Sequence, residues 1–467
     1  MRFYSIINGI NGKLLYSLSY VLTLIFSLVS VYVLSRNLSV EEYGQYYLFI
    51  TISYFLSSII SLSAYRLIPF AKAQTETRKE YESFLANAIF ITSLNALIAL
   101  LLLVSIESLI EIPKTYIPLI VAFSLFISLG NFLRSSLDYD NRITLSCIIS
   151  IVESVMNLIL PITFIYIFNN HKLLSLLIAV TLSSLIVLSV YLISIRLALH
   201  IDLKYIKLLL KKGSPILPHI LSGQLLIYSD RWMIAKFYNE TDVALYSAPY
   251  NLANIVNAVT VALSRYYIPL ITENITKDRF HDSCSQIARF STDMMLITLA
   301  ITLSGPGIYC TLLPMTYWPG IGVLPPLILS MYVVFIYSIF FNIEVTFGRT
   351  TFSMWSTSIA ALLNIILNII YLPTHGYQFA AWITLLSYIV LLVLHLSYVL
   401  ISMKFIYIPT YTLFSHFIII CFVNLCFKFF LNNDFARAIG IIIGTIIGLI
   451  VLLKWLRERE IRKVIAS

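Results

Sequence analysis

The stretch RNLSVEEYGQY, Arg36 to Tyr46, returns in pattern as KFYNETDVALY, Lys236 to Tyr246. Each copy opens on a basic residue, passes through Ser or Asn into acidic residues, and ends on Tyr before a long apolar run. The register persists beyond that run. YRLIPF, Tyr65 to Phe70, falls opposite RYYIPL, Arg265 to Leu270, at the same offset of about 200 residues. One such match arises easily by chance, but two in one frame, bracketing a full apolar span, indicate a duplication.

The solvent for both copies is lipid. Of the 467 residues 59% are hydrophobic and 11% charged, against roughly 25% charged in a soluble chain. The mean hydropathy of +0.90 comes from repeated apolar runs of about 20 residues, the length that crosses roughly 30 Å of hydrocarbon as a helix. About fourteen such runs begin near Leu14, Gln45, Ser83, Thr115, Ile143, Leu173, Ile216, Tyr246, Phe290, Val323, Phe352, Phe379, Tyr411 and Ala436. They predict helices, because lipid-facing backbone must satisfy its own hydrogen bonds, and alternating barrel strands are absent. The expected fold is therefore an all-α polytopic membrane protein.

Sidedness follows from Lys and Arg. With a cytoplasmic N-terminus, about 24 basic residues sort to the cytoplasmic side and about 6 to the other, a positive-inside bias that puts both termini in the cytoplasm. The net charge of +9 is explained by that sorting, and a nucleic-acid partner is not expected. Arg196 to Ser214, RLALHIDLKYIKLLLKKGS, has apolar residues at helical spacing with Lys opposite, the pattern of an interfacial helix beside membrane lipids. Six spans separate the repeats, so both halves enter the membrane in the same direction, with a cavity expected between them. The domains read as residues 1–200, an N-terminal lobe of six spans with the start of the linker; 201–408, the linker helix and spans seven to twelve; and 409–467, two further spans with a basic tail. The five cysteines lie in or beside apolar segments without CxxC or paired-His spacing, so neither a metal nor a disulfide framework is expected.

Four stretches carry a family resemblance: Ser35-Arg36-Asn37-Leu38 with Glu41-Glu42-Tyr43-Gly44; Ser229-Asp230-Arg231-Trp232; Ala244 to Ala248; and NIILNIIYLPTHGYQFAAW from Asn364 to Trp382. The chain resembles the Wzx-type polysaccharide and O-antigen flippases of the MATE-like multidrug/oligosaccharidyl-lipid/polysaccharide exporter superfamily. Ala244, where members usually have Gly, and Gln378-Phe379, where a smaller residue is usual, depart from the pattern. The resemblance implies two six-helix lobes, alternating access, and movement of an undecaprenyl pyrophosphate-linked oligosaccharide to the periplasmic leaflet of a bacterial inner membrane. It also implies a polysaccharide polymerase and a chain-length regulator as working partners, and no enzymatic reaction.

A charged side chain inside a span costs about 2.5 to 3.5 kcal/mol on an insertion scale, so each needs a reason. Arg66 and Arg265, at matching places in the repeats, are either snorkelling anchors or a pair of guanidinium forks for the pyrophosphate. Asp230 and Arg231 lie deep in the seventh span, as an interlobe ion pair or as substrate contacts. Glu153 sits near the middle of the fifth span with no basic residue three or four positions away. A carboxyl there can load and unload a proton, since low-dielectric surroundings disfavour its charge. It is the candidate for H+ or Na+ coupling, with Glu344 and Asp293 behind it; His395 and His416 read as packing residues. No other cofactor is expected.

Three rival functions are weighed. A multidrug or cation exporter of the same superfamily commonly has an acidic residue in the first span, and Leu14 to Ser35 has none. A lipid II flippase is chemically close and stays open. A membrane glycosyltransferase or polymerase needs catalytic loops outside the bilayer, and no DxD pair, Gly-rich phosphate loop or nucleophile constellation is present.

Overall fold

The computed structural model describes residues 12–75, 77–105, 114–195, 197, 201–349, 351–427 and 433–466. Arg2, the head of the expected linker (Arg196 and 198–200) and Lys428 lie outside them. Among the described residues there are sixteen α-helices and no strand. In order they are α1 (Gly12–Asn37), α2 (Val40–Ile60), α3 (Ile68–Gln74), α4 (Arg78–Ser105), α5 (Tyr116–Tyr139), α6 (Ile143–Ile167), α7 (Lys172–Ser194) and α8 (Leu203–Gly213). There follow α9 (Leu217–Phe237), α10 (Glu240–Thr276), α11 (Phe280–Leu312), α12 (Leu324–Thr346), α13 (Thr351–His375), α14 (Phe379–Ser397), α15 (Thr410–Leu425) and α16 (Asp434–Ala466).

Each expected span starts within or beside one of these helices, and the protein is an all-α polytopic membrane protein. Ten of the helices are long and apolar enough to cross a bilayer, eleven if the bent stretch Val40–Ile60 with Ala64–Gln74 is one span. The tally is lower than the expected fourteen for identifiable reasons. α9 carries Asp230, Arg231 and Lys236, α15 has only 16 residues, and the described apolar part of α1 begins at Leu22.

The chain forms two compact units, Met1–Trp232 and Met233–Ser467. Within the first, α5 packs on α2, α4 and α7, and α6 packs on α1 and α7. Within the second, α12 packs on α10, α11 and α14, and α13 packs on α14. Counting the spans, the pairs second–fourth, third–fourth, fourth–sixth and fifth–sixth of the first copy recur in the second, as a duplication requires. The helix starts agree as well. Ser39 caps α2 by accepting from the Glu42 N–H at 3.1 Å, and Asn239 caps α10 by accepting from the Asp242 N–H at 2.9 Å. Both are N-cap residues, two hundred positions apart, each answering an otherwise unpaired first-turn donor.

The expected interfacial helix is α8. Its Tyr205 and Leu209 are buried while Lys204, Lys207, Lys211 and Lys212 are exposed. α15 and α16 belong to the second compact unit. Lys454 of α16 donates to the buried Asp293 at 2.7 Å, Tyr267 donates to the same carboxylate at 2.5 Å, and His416 of α15 shares a 2.8 Å hydrogen bond with Ser291. Gly444 lets α16 approach closely, since a Cβ there would come within 2.6 Å of the Ala300 carbonyl of α11. Small residues at such crossings are how lipid-embedded helices gain contact without a hydrophobic driving force between them.

A polar cavity in the N-terminal unit as the candidate functional site

The polar residues of α1 and α6 are spaced so that each helix offers one hydrophilic face. Thr23, Ser27 and Ser30 follow each other at intervals of four and three; Ser150, Glu153, Ser154 and Asn157 repeat at three, one and three. At 3.6 residues per turn, each set lies on one side of its helix. Both sides face a cavity of about 500 Å³, closed further by Tyr46, Tyr47 and Tyr54 of α2 and by Asn131 and Arg134 of α5. Thr23 and Ser154 hydrogen-bond across the α1–α6 contact at 2.7 Å, and Ser183 of α7 donates to the Asn157 amide oxygen at 2.6 Å. These bonds fix the two faces relative to each other. Pro161, also on the lining, has no N–H to offer the Asn157 carbonyl one turn earlier, so that carbonyl loses its helical partner beside the cavity.

Two ionisable side chains line this space. Glu153 lacks a basic neighbour along its own helix, but Arg134 of α5 shares its space: both line the main cavity and a smaller side chamber of about 70 Å³. Tyr54, stacked on Tyr228 at 6.0 Å between ring centres, walls the same chamber with Tyr191. Charge sorting places Arg134 at the cytoplasmic end of its span, whereas the structure turns it into the cavity. It lies more than a helical turn inside the end of α5 at Tyr139, and that depth is the signal in the sequence which simple counting of basic residues overlooks.

The other candidate residues are dispersed. Arg66 is exposed, on a short 3-10 segment between α2 and α3, with its guanidinium 5.1 Å from the Tyr65 ring centre. Arg265 is exposed on α10 of the second unit. Asp230 and Arg231 are buried on α9, and Arg231 donates to the Ile227 carbonyl at 2.9 Å. Next to them, Trp232 donates its indole N–H to Thr51 at 3.2 Å. Glu344 is buried in the second unit, 2.6 Å from His395. In the Asn364–Trp382 motif, Asn364 donates to Thr384 at 3.4 Å and Asn368 donates to Asn364 at 3.1 Å, so these amides brace α13 on α14. Among the described residues no His, Cys, Asp and Glu cluster could hold a metal ion.

Known structures share the architecture. The lipid II flippase MurJ in an inward closed conformation is similar with a TM-score of 0.71 and 18% identity, over 95% of this chain and 99% of that one. An inward-facing multidrug resistance MATE transporter of the MOP superfamily gives 0.58 and 12%, over 89% and 96%. The Vibrio cholerae MATE transporter VcmN in its bent form gives 0.54 and 15%, over 86% and 95%. At these identities the likeness establishes the fold, which is MATE-like. No curated protein matches the chain. The sequence model of the polysaccharide biosynthesis protein family matches residues 10–275, more than half of the chain and all of the cavity, and the protein belongs to that family.

Proposed function

We propose that the protein is a flippase that carries an undecaprenyl pyrophosphate-linked oligosaccharide, such as an O-antigen or capsule repeat, from the cytoplasmic to the periplasmic leaflet of a bacterial inner membrane. The observation that carries the reading is the cavity's lining. Ser, Thr and Asn side chains both donate and accept hydrogen bonds, as sugar hydroxyls require, and Arg134 offers a guanidinium to phosphate oxygens. A cationic cargo would meet a like charge at Arg134 there. The volume of about 500 Å³ suits a head group, with the lipid tail left in the bilayer. Membership of a polysaccharide biosynthesis family supports the same cargo.

Glu153 is the proposed coupling group. With Glu153 ionised the pair is neutral; with Glu153 protonated it is a bare cation. An incoming phosphate anion beside Arg134 therefore favours protonation of Glu153, which links cargo binding to proton uptake. Arg66 and Arg265 are proposed as further phosphate contacts, and Asp230 and Arg231 as substrate contacts. Both termini are cytoplasmic in this reading, and a polymerase and a chain-length regulator act on the product.

Native mass spectrometry of the protein in lipid nanodiscs tests the site. One lost charge-assisted contact is worth about 2 kcal/mol, so Arg134→Ala is expected to weaken retention of the pyrophosphate-linked lipid by roughly tenfold or more. Arg134→Lys recovers part of it, and Glu153→Gln retains binding without its pH dependence. Equal retention by wild type and Arg134→Ala contradicts the assignment. The likeness to MurJ favours lipid II as the second cargo reading, and lipid II offered in the same nanodiscs separates the two.

A further inference from the structure

Three polar side chains of the second unit are shut away from water and belong to no cavity described above. Glu344 of α12 and His395 of α14 are fully buried, and Ser356 of α13 is 1% exposed. Glu344 Oε1 lies 2.6 Å from His395 Nδ1, and His395 Nε2 lies 2.8 Å from Ser356 Oγ. The connectivity is that of a nucleophile triad, but Ser356 is buried and lines neither cavity described above, which leaves an acyl donor no path to it from solvent.

The hydrogen-bond network assigns its protons. Ser356 is placed to donate its hydroxyl to the Ser353 carbonyl at 3.1 Å, and with that bond made its Oγ accepts from a hydrogen on His395 Nε2 at 2.8 Å. Nδ1 and Glu344 Oε1 then face each other at 2.6 Å. Two bare acceptors would repel at that distance, and two hydrogens would not fit between them. One proton bridges the pair. Glu344 Oε2 is buried with no hydrogen-bond partner among the described residues, and a charged carboxylate would leave that oxygen bare in apolar surroundings at greater cost than a neutral carbonyl oxygen. The neutral pairing, with the proton on Glu344 Oε1 donated to His395 Nδ1, therefore fits the site.

We propose that Glu344, His395 and Ser356 form an occluded proton-binding site in the C-terminal unit, separate from Glu153 and independent of which cargo is carried. Tyr337 of α12 lies edge-on to the imidazole at 4.8 Å between ring centres. Phe352 covers it at 5.8 Å and is itself stacked on Tyr398 at 4.1 Å. Among the described residues His395 is the one ion-pair partner of Glu344. Arg349, beyond α12, is exposed and approaches by its backbone N–H, 2.8 Å from the Glu344 carbonyl. Of the helices packed on α12, α10 supplies Thr272, bonded to Thr346 at 3.2 Å. α11 and α15 carry Asp293 and His416, each held by the partners already named.

The proton leaves only if α12, α13 and α14 part at this end. Both flanking backbones are irregular there: α12 ends two residues after Glu344 and leads to Gly348 at φ +70°, and α14 passes into a π-helical turn, Tyr398–Ser402, three residues after His395. Such π turns recur at functional sites in helices.

Infrared difference spectroscopy of the full-length protein in nanodiscs, exchanged from H2O into D2O, tests the site. The expected result is a carboxylic-acid carbonyl band that is slow to shift in D2O, is lost in Glu344→Gln and persists in Glu153→Gln. An acid-carbonyl region unchanged by Glu344→Gln overturns the proposal. Should Glu344→Gln fail to fold, Ser356→Ala removes one hydroxyl and leaves the pair; the band must then change frequency, and an unmoved band overturns the proposal equally.

Discussion

Residues 40–74 and 240–276 descend from one duplicated stretch, yet one is a broken helix and the other is continuous. Both start after a capping residue, Ser39 or Asn239, and both carry Ile-Pro at the same offset, at Pro69 and Pro269. In the first, α2 stops at Ile60, Leu62 and Ser63 adopt left-handed φ of +46° and +59°, and the chain resumes as α3 at an angle of 45°. In the second, α10 runs 37 residues through Pro269, and the left-handed residue, Asp278, comes only after the helix has ended.

Proline is therefore not sufficient for the break. What the first copy has in addition is a run of serines and a docked helix. Ser57, Ser58 and Ser61 bond back to carbonyls three or four residues earlier, competing with the helical ladder. The Asn95 amide takes the Ile60 carbonyl at 2.9 Å. Gly213, at the end of α8, sits so close that a Cβ would lie 2.6 Å from the Leu62 carbonyl. Among the described residues the amphipathic α8 packs against the break in the first copy, and Arg66 sits on that break.

Removing each proline is expected to separate the two copies most strongly. Within a continuous helix proline forfeits a hydrogen bond and crowds the carbonyl four residues earlier, costing up to about 3 kcal/mol. Pro269→Ala should therefore raise thermal stability in nanodiscs clearly. Pro69→Ala should be near neutral, because Pro69 occupies the first turn of α3, where its missing N–H would be unpaired anyway. Equal shifts from the two substitutions would remove the distinction.

Gly213→Ala probes the docking of α8. Its methyl must displace the Leu62 backbone or α8 itself, at about 1 to 3 kcal/mol, and limited proteolysis should open the α8 region first. Ser63→Gly asks whether the left-handed backbone carries strain: it should stabilise by about 1 kcal/mol, since Ser63 Oγ has no hydrogen-bond partner among the described residues to lose. Smallest is the shared feature. Ser39→Ala and Asn239→Ala should each destabilise by about 1 kcal/mol, and to similar extents in thermal melts, because the two caps do the same work.

Sequence reading located the helices well because an apolar run of span length in lipid has few alternatives, and it found the repeat because cap and proline stayed in register. It did not find the break, since Pro69 and Pro269 look alike and the difference lies in what packs against Leu62. It singled out Glu153 by its depth and by the lack of a basic residue three or four positions away. It missed Arg134, because counting basic residues by loop treats a position more than one turn inside a helix as if it were at the end. The Thr23–Ser27–Ser30 face of α1 was legible as helical spacing, but which helix it faces is a matter of packing that no single span encodes.

The central claim is that the Arg134–Glu153 cavity serves the outward passage of a pyrophosphate-linked saccharide. Its most direct test is a flipping assay in proteoliposomes, in which an undecaprenyl pyrophosphate-linked oligosaccharide starts in one leaflet and a lectin or glycosidase added to the other side reads its arrival. The account predicts transfer by the wild type that responds to a pH gradient, at least about tenfold slower transfer by Arg134→Ala at equal reconstitution, and gradient-independent transfer by Glu153→Gln. Wild-type transfer that Arg134→Ala leaves unchanged would contradict it.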